Sequence, residues 1–225
     1  MANNTNDTVV LLHGLMGSRI DMWPIARRLQ KLGYRTLNWR YRSVGKKIET
    51  HAQQLGERLA ELDQAAEHRF HLVTHSMGGI IIRAILEKWT FQNLHRIVML
   101  APPHGGSHIA RKLAPLFNWM TPSLSQLSDK PGSYVNGLSN SFLDNQIEFG
   151  LIEASRDRVV APGKAIIAGY KDLVSVDGHH AVMTWYPLTQ KLVEQFIADG
   201  NFALGSDATR VSNDSNLSNK NAKAM

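Results

Sequence analysis

The chain has 225 residues, of which 43% are hydrophobic and 20% are charged, a composition typical of a single folded domain. It contains no cysteine, which excludes disulfide bonds, a cysteine nucleophile and thiolate metal sites. The formal net charge is +6 at pH 7. Nine Lys and Arg residues lie between positions 19 and 47, where Asp21 is the one acidic residue that opposes them.

This basic cluster is compatible with a weak contact to an anionic membrane surface, but an ordinary solvated helix face and two strand ends are the interpretation that we favour. No nucleic-acid-binding motif accompanies the cluster, so we expect no nucleic-acid partner. The first seven residues lack the basic and apolar regions of a signal peptide, and no apolar run approaches the roughly 18 residues that span a bilayer. We therefore expect a cytoplasmic protein.

Short apolar segments alternate along the chain with helical patterns. Strands are predicted over 8–12, 35–41, 70–74, 96–101, 149–154 and 172–176. Apolar residues that recur every three or four positions predict helices over 25–32, 48–66, 77–89 and 188–197. Strands that alternate with helices in this way form a parallel sheet covered on both faces, so we predict an α/β fold with a mostly parallel sheet of about six strands. Ligands bind to such sheets beyond the carboxyl ends of the strands.

The last residues of the chain differ in composition from the rest. From position 205 the sequence is rich in Ser, Asn and Asp and has almost no large apolar residue, so it cannot bury enough surface to become ordered. We therefore predict one domain over residues 1–204 and a disordered tail over 205–225.

A serine directly follows the third predicted strand, in the sequence Thr74-His75-Ser76-Met77-Gly78-Gly79. A sharp turn between this strand and the apolar helix after it would lift the Ser76 hydroxyl clear of the sheet. The small residues after the serine allow close backbone packing, and the helix N-terminus would stabilise a developing oxyanion. The simpler alternative is a serine that only caps the helix.

This segment resembles the nucleophile elbow of the α/β-hydrolases, whose pattern is G-x-S-x-G. The chain departs from that pattern at Thr74, where the first glycine usually stands. The resemblance covers residues 8–204. Within the hydrolases the chain is most similar to the lipase and GPI inositol-deacylase-like subgroup, through His13-Gly14-Leu15, the elbow, the Pro-Pro-His-Gly-Gly-Ser loop at 102–107 and the Gly-His-His at 178–180. This resemblance implies hydrolysis of a small-molecule acyl ester or lipid-like substrate, without a metal or an organic cofactor.

The resemblance also implies two donors for an oxyanion hole. One is the backbone amide of Met77, the residue after the serine. The other is the amide of Leu15, which follows His13-Gly14 at the end of the first predicted strand. The same motif without the elbow would be an ordinary turn at a strand end.

In the α/β-hydrolases, which this chain resembles, the serine is followed in the chain by an acid and then by a histidine. Asp157 comes just after the fifth predicted strand, where the acid is expected. Its simpler interpretation is a turn residue paired with a neighbouring arginine. Three other carboxylates fit the expected place less well: Glu153, Asp172 and Asp177.

Two adjacent histidines, His179 and His180, occupy the place of the general base. We predict that His180 is the base, because related hydrolases carry it just before a short apolar stretch that leads into the closing helix. His179 would then face solvent or brace the loop.

The segment 107–146 lies where the resembling fold inserts a lid, and it is rich in apolar residues between its prolines. We interpret it as a lid-like insertion that would suit an acyl chain; a helical segment packed on the core is the alternative. Three other functions remain open: a thioesterase, an acyltransferase with the same triad, and a binding module that kept the fold.

Overall fold

The computed structural model of the chain describes residues 6–65, 68–139 and 147–203, together with the backbone of residues 208–210. One sheet runs through these residues. Its strands are β1 Thr8–Leu12, β2 Arg35–Asn38, β3 Phe70–His75, β4 Leu94–Leu100, β5 Glu148–Ala154, β6 Asp172–Val176 and β7 Ala208–Arg210. They lie in the order β2-β1-β3-β4-β5-β6-β7. The first six are parallel, and β7 pairs antiparallel with β6.

Helices cover both faces of this sheet, as predicted. They are α1 Arg19–Lys31, α2 Ile48–Ala65, α3 Met77–Leu86, α4 His108–Phe117, α5 Ser123–Gln126, α6 Tyr134–Gly137 and α7 Pro187–Asp199, with a 3-10 helix over His180–Trp185. α2 and α3 pack against each other on one face, whereas α1 and α7 pack on the other.

The core is divided between the two faces by the alternation of side chains along each strand. In β1, Val10 and Leu12 pack towards α2 and α3, and Val9 and Leu11 pack towards α1 and α7. All four are at most 2% exposed. A strand buried on both faces is apolar throughout, which explains the continuous apolar runs that predicted the central strands.

The first helix begins six residues earlier than predicted. The pattern indicated a start at Ile25, after Pro24, but α1 begins at Arg19. Ser18 caps it: its side chain accepts the Ile20 amide, and the Asp21 carboxylate accepts the Ser18 amide at 2.6 Å. Pro24 is buried inside the helix and does not end it.

Two predicted segments extend beyond the described residues. The sheet contains a seventh strand, β7, inside the segment predicted as a disordered tail over 205–225; the rest of that tail lies outside the described residues. The segment 107–146, which we predicted as a lid-like insertion, is described up to residue 139, where it contains α4, α5 and α6, and its last residues, 140–146, lie outside. Among the described helices none combines the length and the apolar character needed to cross a bilayer.

Candidate active site

Ser76 occupies a sharp turn between the end of β3 and the start of α3. Its backbone angles are φ 54° and ψ −124°, a conformation that residues with a side chain rarely adopt. The Ser76 amide donates to the carbonyl oxygen of Leu100 at 2.8 Å, which anchors the turn to the neighbouring strand β4. The strained turn thus holds the hydroxyl above the carboxyl end of the central strand.

The close packing around this turn explains its glycines. A Cβ on Gly14 would lie 2.9 Å from the Ser76 Cβ, and a Cβ on Gly78 would lie 2.8 Å from the Leu12 carbonyl oxygen. Thr74, which departs from the G-x-S-x-G pattern, is buried beside Gly79, where a Cβ would come within 3.4 Å of the Thr74 hydroxyl. Gly79, which follows the motif, thus packs against the threonine that replaces its first glycine, and a Cβ there would lie 2.8 Å from Cβ of Pro102.

Three predicted residues meet at this turn, although 81 positions separate Ser76 from Asp157. The Ser76 hydroxyl lies 2.9 Å from Nε2 of His180, and Nδ1 of the same ring lies 2.6 Å from Oδ2 of Asp157. A carboxylate only accepts hydrogen bonds, so Nδ1 carries the proton and Nε2 accepts from the serine. The structure thus brings a hydroxyl, a base and an acid into one hydrogen-bonded chain.

The Asp157 carboxylate is held by its own turn. Its Oδ1 accepts the backbone amides of Val159 and Val160 at 2.7 and 2.8 Å. Burial raises the pKa of this carboxyl, but the hydrogen bond and charge of His180 and the two amides together lower it below its ordinary value. Asp157 is therefore ionised at neutral pH, which suits it to orient an imidazole and stabilise its charged form.

The neighbouring histidine and the other candidate carboxylates lie elsewhere. Nδ1 of His179 is 3.2 Å from the carbonyl oxygen of Arg156, and its backbone amide donates to the Tyr186 hydroxyl. A Cβ on Gly178 would lie 2.1 Å from the Tyr186 ring, so the turn before the two histidines requires glycine. Asp177 pairs with the guanidinium of Arg156 at the surface.

The two remaining candidate carboxylates, Asp172 and Glu153, also lie away from the serine. Asp172 accepts the Phe202 amide at 2.8 Å. Glu153 lies within β5, where burial raises its pKa. Neither forms a hydrogen bond with His180 among the described residues.

The two predicted oxyanion donors lie in the segments that adjoin Ser76. Met77 is the first residue of α3, so its amide has no carbonyl partner within the helix. Leu15 follows Gly14, whose backbone packs against Ser76, and precedes Met16, which has a positive φ of 57°. Both amides therefore lie in backbone next to Ser76: Met77 directly follows it, and Leu15 follows the glycine that packs against it.

Tyr41 braces the loop that carries Leu15, a contact that the sequence did not reveal. The Tyr41 hydroxyl donates to the His13 carbonyl oxygen at 2.6 Å, and the two rings stack with centroids 4.3 Å apart. Burial lowers the pKa of His13, so its ring is neutral at pH 7 and its Nδ1–H donates to the Gly14 carbonyl oxygen.

Comparison with known proteins identifies the family of this chain. A sequence model of the alpha/beta hydrolase family matches residues 9–206. The chain belongs to the alpha/beta hydrolase family. Among proteins with curated descriptions, none matches this hydrolase significantly.

Solved structures with low sequence identity share the fold of this hydrolase. Lipase B from Aspergillus fumigatus is 14% identical with a TM-score of 0.68, and the match covers 88% of this chain and 54% of that one. The mature lipase BlEst2 from Bacillus licheniformis is 18% identical with a TM-score of 0.61, covering 88% and 93%. Phospholipase PlaB from Legionella pneumophila is 22% identical with a TM-score of 0.54, covering 66% and 38%. The hydrolase thus spans about two fifths of PlaB and half of lipase B.

The side chain of His75 contacts the backbone of His180, the candidate base. The Nε2–H of His75 donates to the His180 carbonyl oxygen at 3.0 Å, and the ring centroids are 5.0 Å apart. Burial, and then the charge of His180, lower the pKa of His75 to about 3, so its ring stays neutral. No sequence signal links these two residues, because the contact joins the end of β3 to a loop 105 positions away.

Proposed function

We propose that this hydrolase cleaves carboxylic esters through a covalent acyl-serine intermediate. The observation that carries the proposal is the hydrogen-bonded chain from Ser76 through His180 to the ionised Asp157. A serine hydroxyl is a weak nucleophile until an adjacent base accepts its proton, and the base needs a third group to fix its tautomer. The hydrogen bonds of His180 support these roles, because Nε2 accepts from Ser76 and Nδ1 donates to Asp157.

In the first half of the proposed reaction, Ser76 Oγ attacks the ester carbonyl carbon while Nε2 of His180 accepts the hydroxyl proton. The negative charge that develops on the carbonyl oxygen is stabilised by the amides of Leu15 and Met77 and by the N-terminus of α3. The imidazolium then gives its proton to the departing alcohol oxygen as the C–O bond breaks.

In the second half, water attacks the acyl-serine carbonyl carbon. His180 accepts a proton from that water, and Asp157 stabilises the imidazolium. Collapse of the intermediate returns the proton to Ser76 and releases the carboxylic acid. These steps use groups of the chain alone, so the proposal includes no metal or organic cofactor.

The proposed substrates are acyl esters, including lipid-like ones. Exposed apolar side chains on the lid-like insertion support this class, because Leu116 of α4 is 67% exposed and Trp119 after it is 83% exposed. The lipase and phospholipase names of structures with this fold agree with the same class. We propose that the insertion contacts the acyl chain of the substrate.

A panel of p-nitrophenyl esters with acyl chains from short to long, together with a thioester, tests the reaction. Ser76→Ala and His180→Ala should each lower kcat/KM by about 10⁴-fold, whereas the control His179→Ala should lower it by about tenfold at most. Trp119→Ala should slow the long esters more than the acetate ester. Retained turnover in Ser76→Ala would contradict the proposal, and a preference for the thioester would redirect it to thioesterase chemistry.

A further inference from the structure

Four exposed apolar side chains form a surface patch next to the candidate active site. Ile20 and Trp23 lie one turn apart on α1 and are 68% and 55% exposed. Val182 and Trp185 lie one turn apart on the 3-10 helix and are 44% and 46% exposed. The rings of Trp23 and Trp185 are 6.4 Å apart between centroids, which joins the two pairs into what we call the tryptophan patch.

The buried face of α1 is separate from the tryptophan patch. The helix buries a separate face made of Met22, Ile25 and Leu29, each at most 1% exposed. The patch residues point away from that face. Scattered single apolar residues are normal on a protein surface, whereas a contiguous group that includes two tryptophans favours a contact with a partner.

Arginines border the tryptophan patch. Arg19 and Arg27 lie four residues before and after Trp23, so they lie beside it on α1, and both are exposed. Neither guanidinium forms an ion pair with a carboxylate in the described parts of the chain, whereas Arg28 on the same helix is paired with Glu194.

The acidic groups nearby form no ion pair with these two arginines in the described parts of the chain. Asp21, in the first turn of α1, accepts the Ser18 amide as part of the helix cap. Glu194 of α7 is engaged by Arg28. The patch therefore combines exposed indole rings with two arginines that have no ion-pair partner among the described residues.

We propose that the tryptophan patch, with Arg19 and Arg27, binds the surface of an anionic phospholipid layer. Indole rings partition to the boundary between headgroups and acyl chains, and arginines beside them attract anionic headgroups. A second copy of the chain fits this surface less well, because the +6 net charge opposes association and the pairs of arginines would approach each other.

The position of the patch gives this contact a role in the proposed reaction. His180 begins the 3-10 helix that carries Val182 and Trp185, so a lipid layer on the patch lies within a few residues of the candidate base. Binding there would hold the site against the layer that contains ester groups. This role rests on the proposed function, whereas the binding itself does not.

Co-sedimentation with vesicles tests the binding. It uses the full chain with Ser76→Ala, so that no lipid is hydrolysed, and vesicles of phosphatidylcholine alone or with phosphatidylglycerol. We expect binding to the mixed vesicles and about 25-fold weaker binding after Arg19→Gln with Arg27→Gln, because each arginine contributes roughly a fivefold factor near an anionic surface. Trp23→Ser should also weaken binding, by tenfold or more.

Leu37→Ser with Arg58→Gln provides a matched control, because it removes one exposed apolar side chain and one exposed arginine that line another groove of the surface. It should bind like the parent chain, and thermal unfolding would verify that every variant is folded. Equal binding by the patch variants and this control would overturn the proposal. So would equal binding to both vesicle types, or a solution dimer that Trp23→Ser dissociates.

The proposed function is measured apart from this test. Hydrolysis of a short soluble ester by the unmutated chain, without vesicles, reports the ester chemistry alone. A chain that hydrolyses the ester but does not sediment with mixed vesicles refutes only the membrane surface. A chain that sediments but does not hydrolyse any ester refutes only the proposed function.

Discussion

Replacement of His104 by phenylalanine should make the hydrolase less sensitive to acid. His104 lies in the loop after β4 and is 5% exposed, and neither of its ring nitrogens has a hydrogen-bond partner among the described residues. Burial, and then the charge of Arg83, lower its pKa to about 3. The native state therefore keeps this ring neutral over a pH range in which the unfolded chain binds a proton.

The sign and size of the effect follow from this difference in pKa. A histidine in the unfolded chain binds its proton near pH 6.5. Above that pH the His104 ring is neutral in both the native and the unfolded state, so it takes nothing from the free energy of unfolding. As the pH falls from 6.5 towards 3, the free energy of unfolding decreases by about 1.4 kcal/mol for each pH unit. At pH 5 the loss from His104 amounts to about 2 kcal/mol.

Urea unfolding followed by tryptophan fluorescence at pH 7 and pH 5 would measure this loss. The difference in the free energy of unfolding between the two pH values should be about 2 kcal/mol smaller in His104→Phe than in the parent chain. At pH 7 the variant should be about as stable as the parent, because an apolar ring leaves no polar atom unpaired. The exposed His68→Phe is the control, and its difference should match that of the parent. If His104→Phe loses as much stability as the parent, the buried neutral ring is not a cause of acid sensitivity.

Two further predictions concern contacts that only the structure reveals. His75→Phe removes the donor to the His180 carbonyl oxygen, so kcat on a soluble ester should fall about tenfold with little change in KM, and His75→Gln should recover part of the loss. An unchanged kcat in His75→Phe would show that this hydrogen bond does not position the base. A chain that ends after Leu204 lacks β7, so its free energy of unfolding should be about 1–3 kcal/mol below that of a chain that ends after Arg210, as urea denaturation would show. Equal stability of the two chains would mean that β7 contributes nothing to the sheet.

The parts of the fold that could be predicted have local causes. The central strands are buried on both faces, so each is a continuous apolar run in the sequence. The turn at Ser76 is set by a strand, a serine and glycines within a few positions, and the structure places the hydroxyl where that order of residues predicted it. Local pattern therefore sufficed for the six parallel strands and for the candidate nucleophile.

The parts that could not be predicted depend on contacts between distant segments. The choice of His180 over His179 came from the resemblance to other hydrolases, whereas the contacts around it, such as the packing of Gly178 against the Tyr186 ring, appear only in the structure. The strand β7 lies in a polar segment and is defined by its pairing with the edge of β6. The early start of α1 was hidden by Pro24, although the Ser18 and Asp21 of its cap are visible in the sequence.

Labelling with a fluorophosphonate tests most directly the claim that Ser76 is a nucleophile activated by His180. Such a probe phosphonylates an activated serine and leaves an adduct that intact mass and peptide mapping can locate. We expect one adduct, on the peptide that contains Ser76, which is absent in Ser76→Ala and forms far more slowly in His180→Ala than in His179→Ala. A folded chain that takes up no probe, or that carries the adduct on another residue, would contradict it.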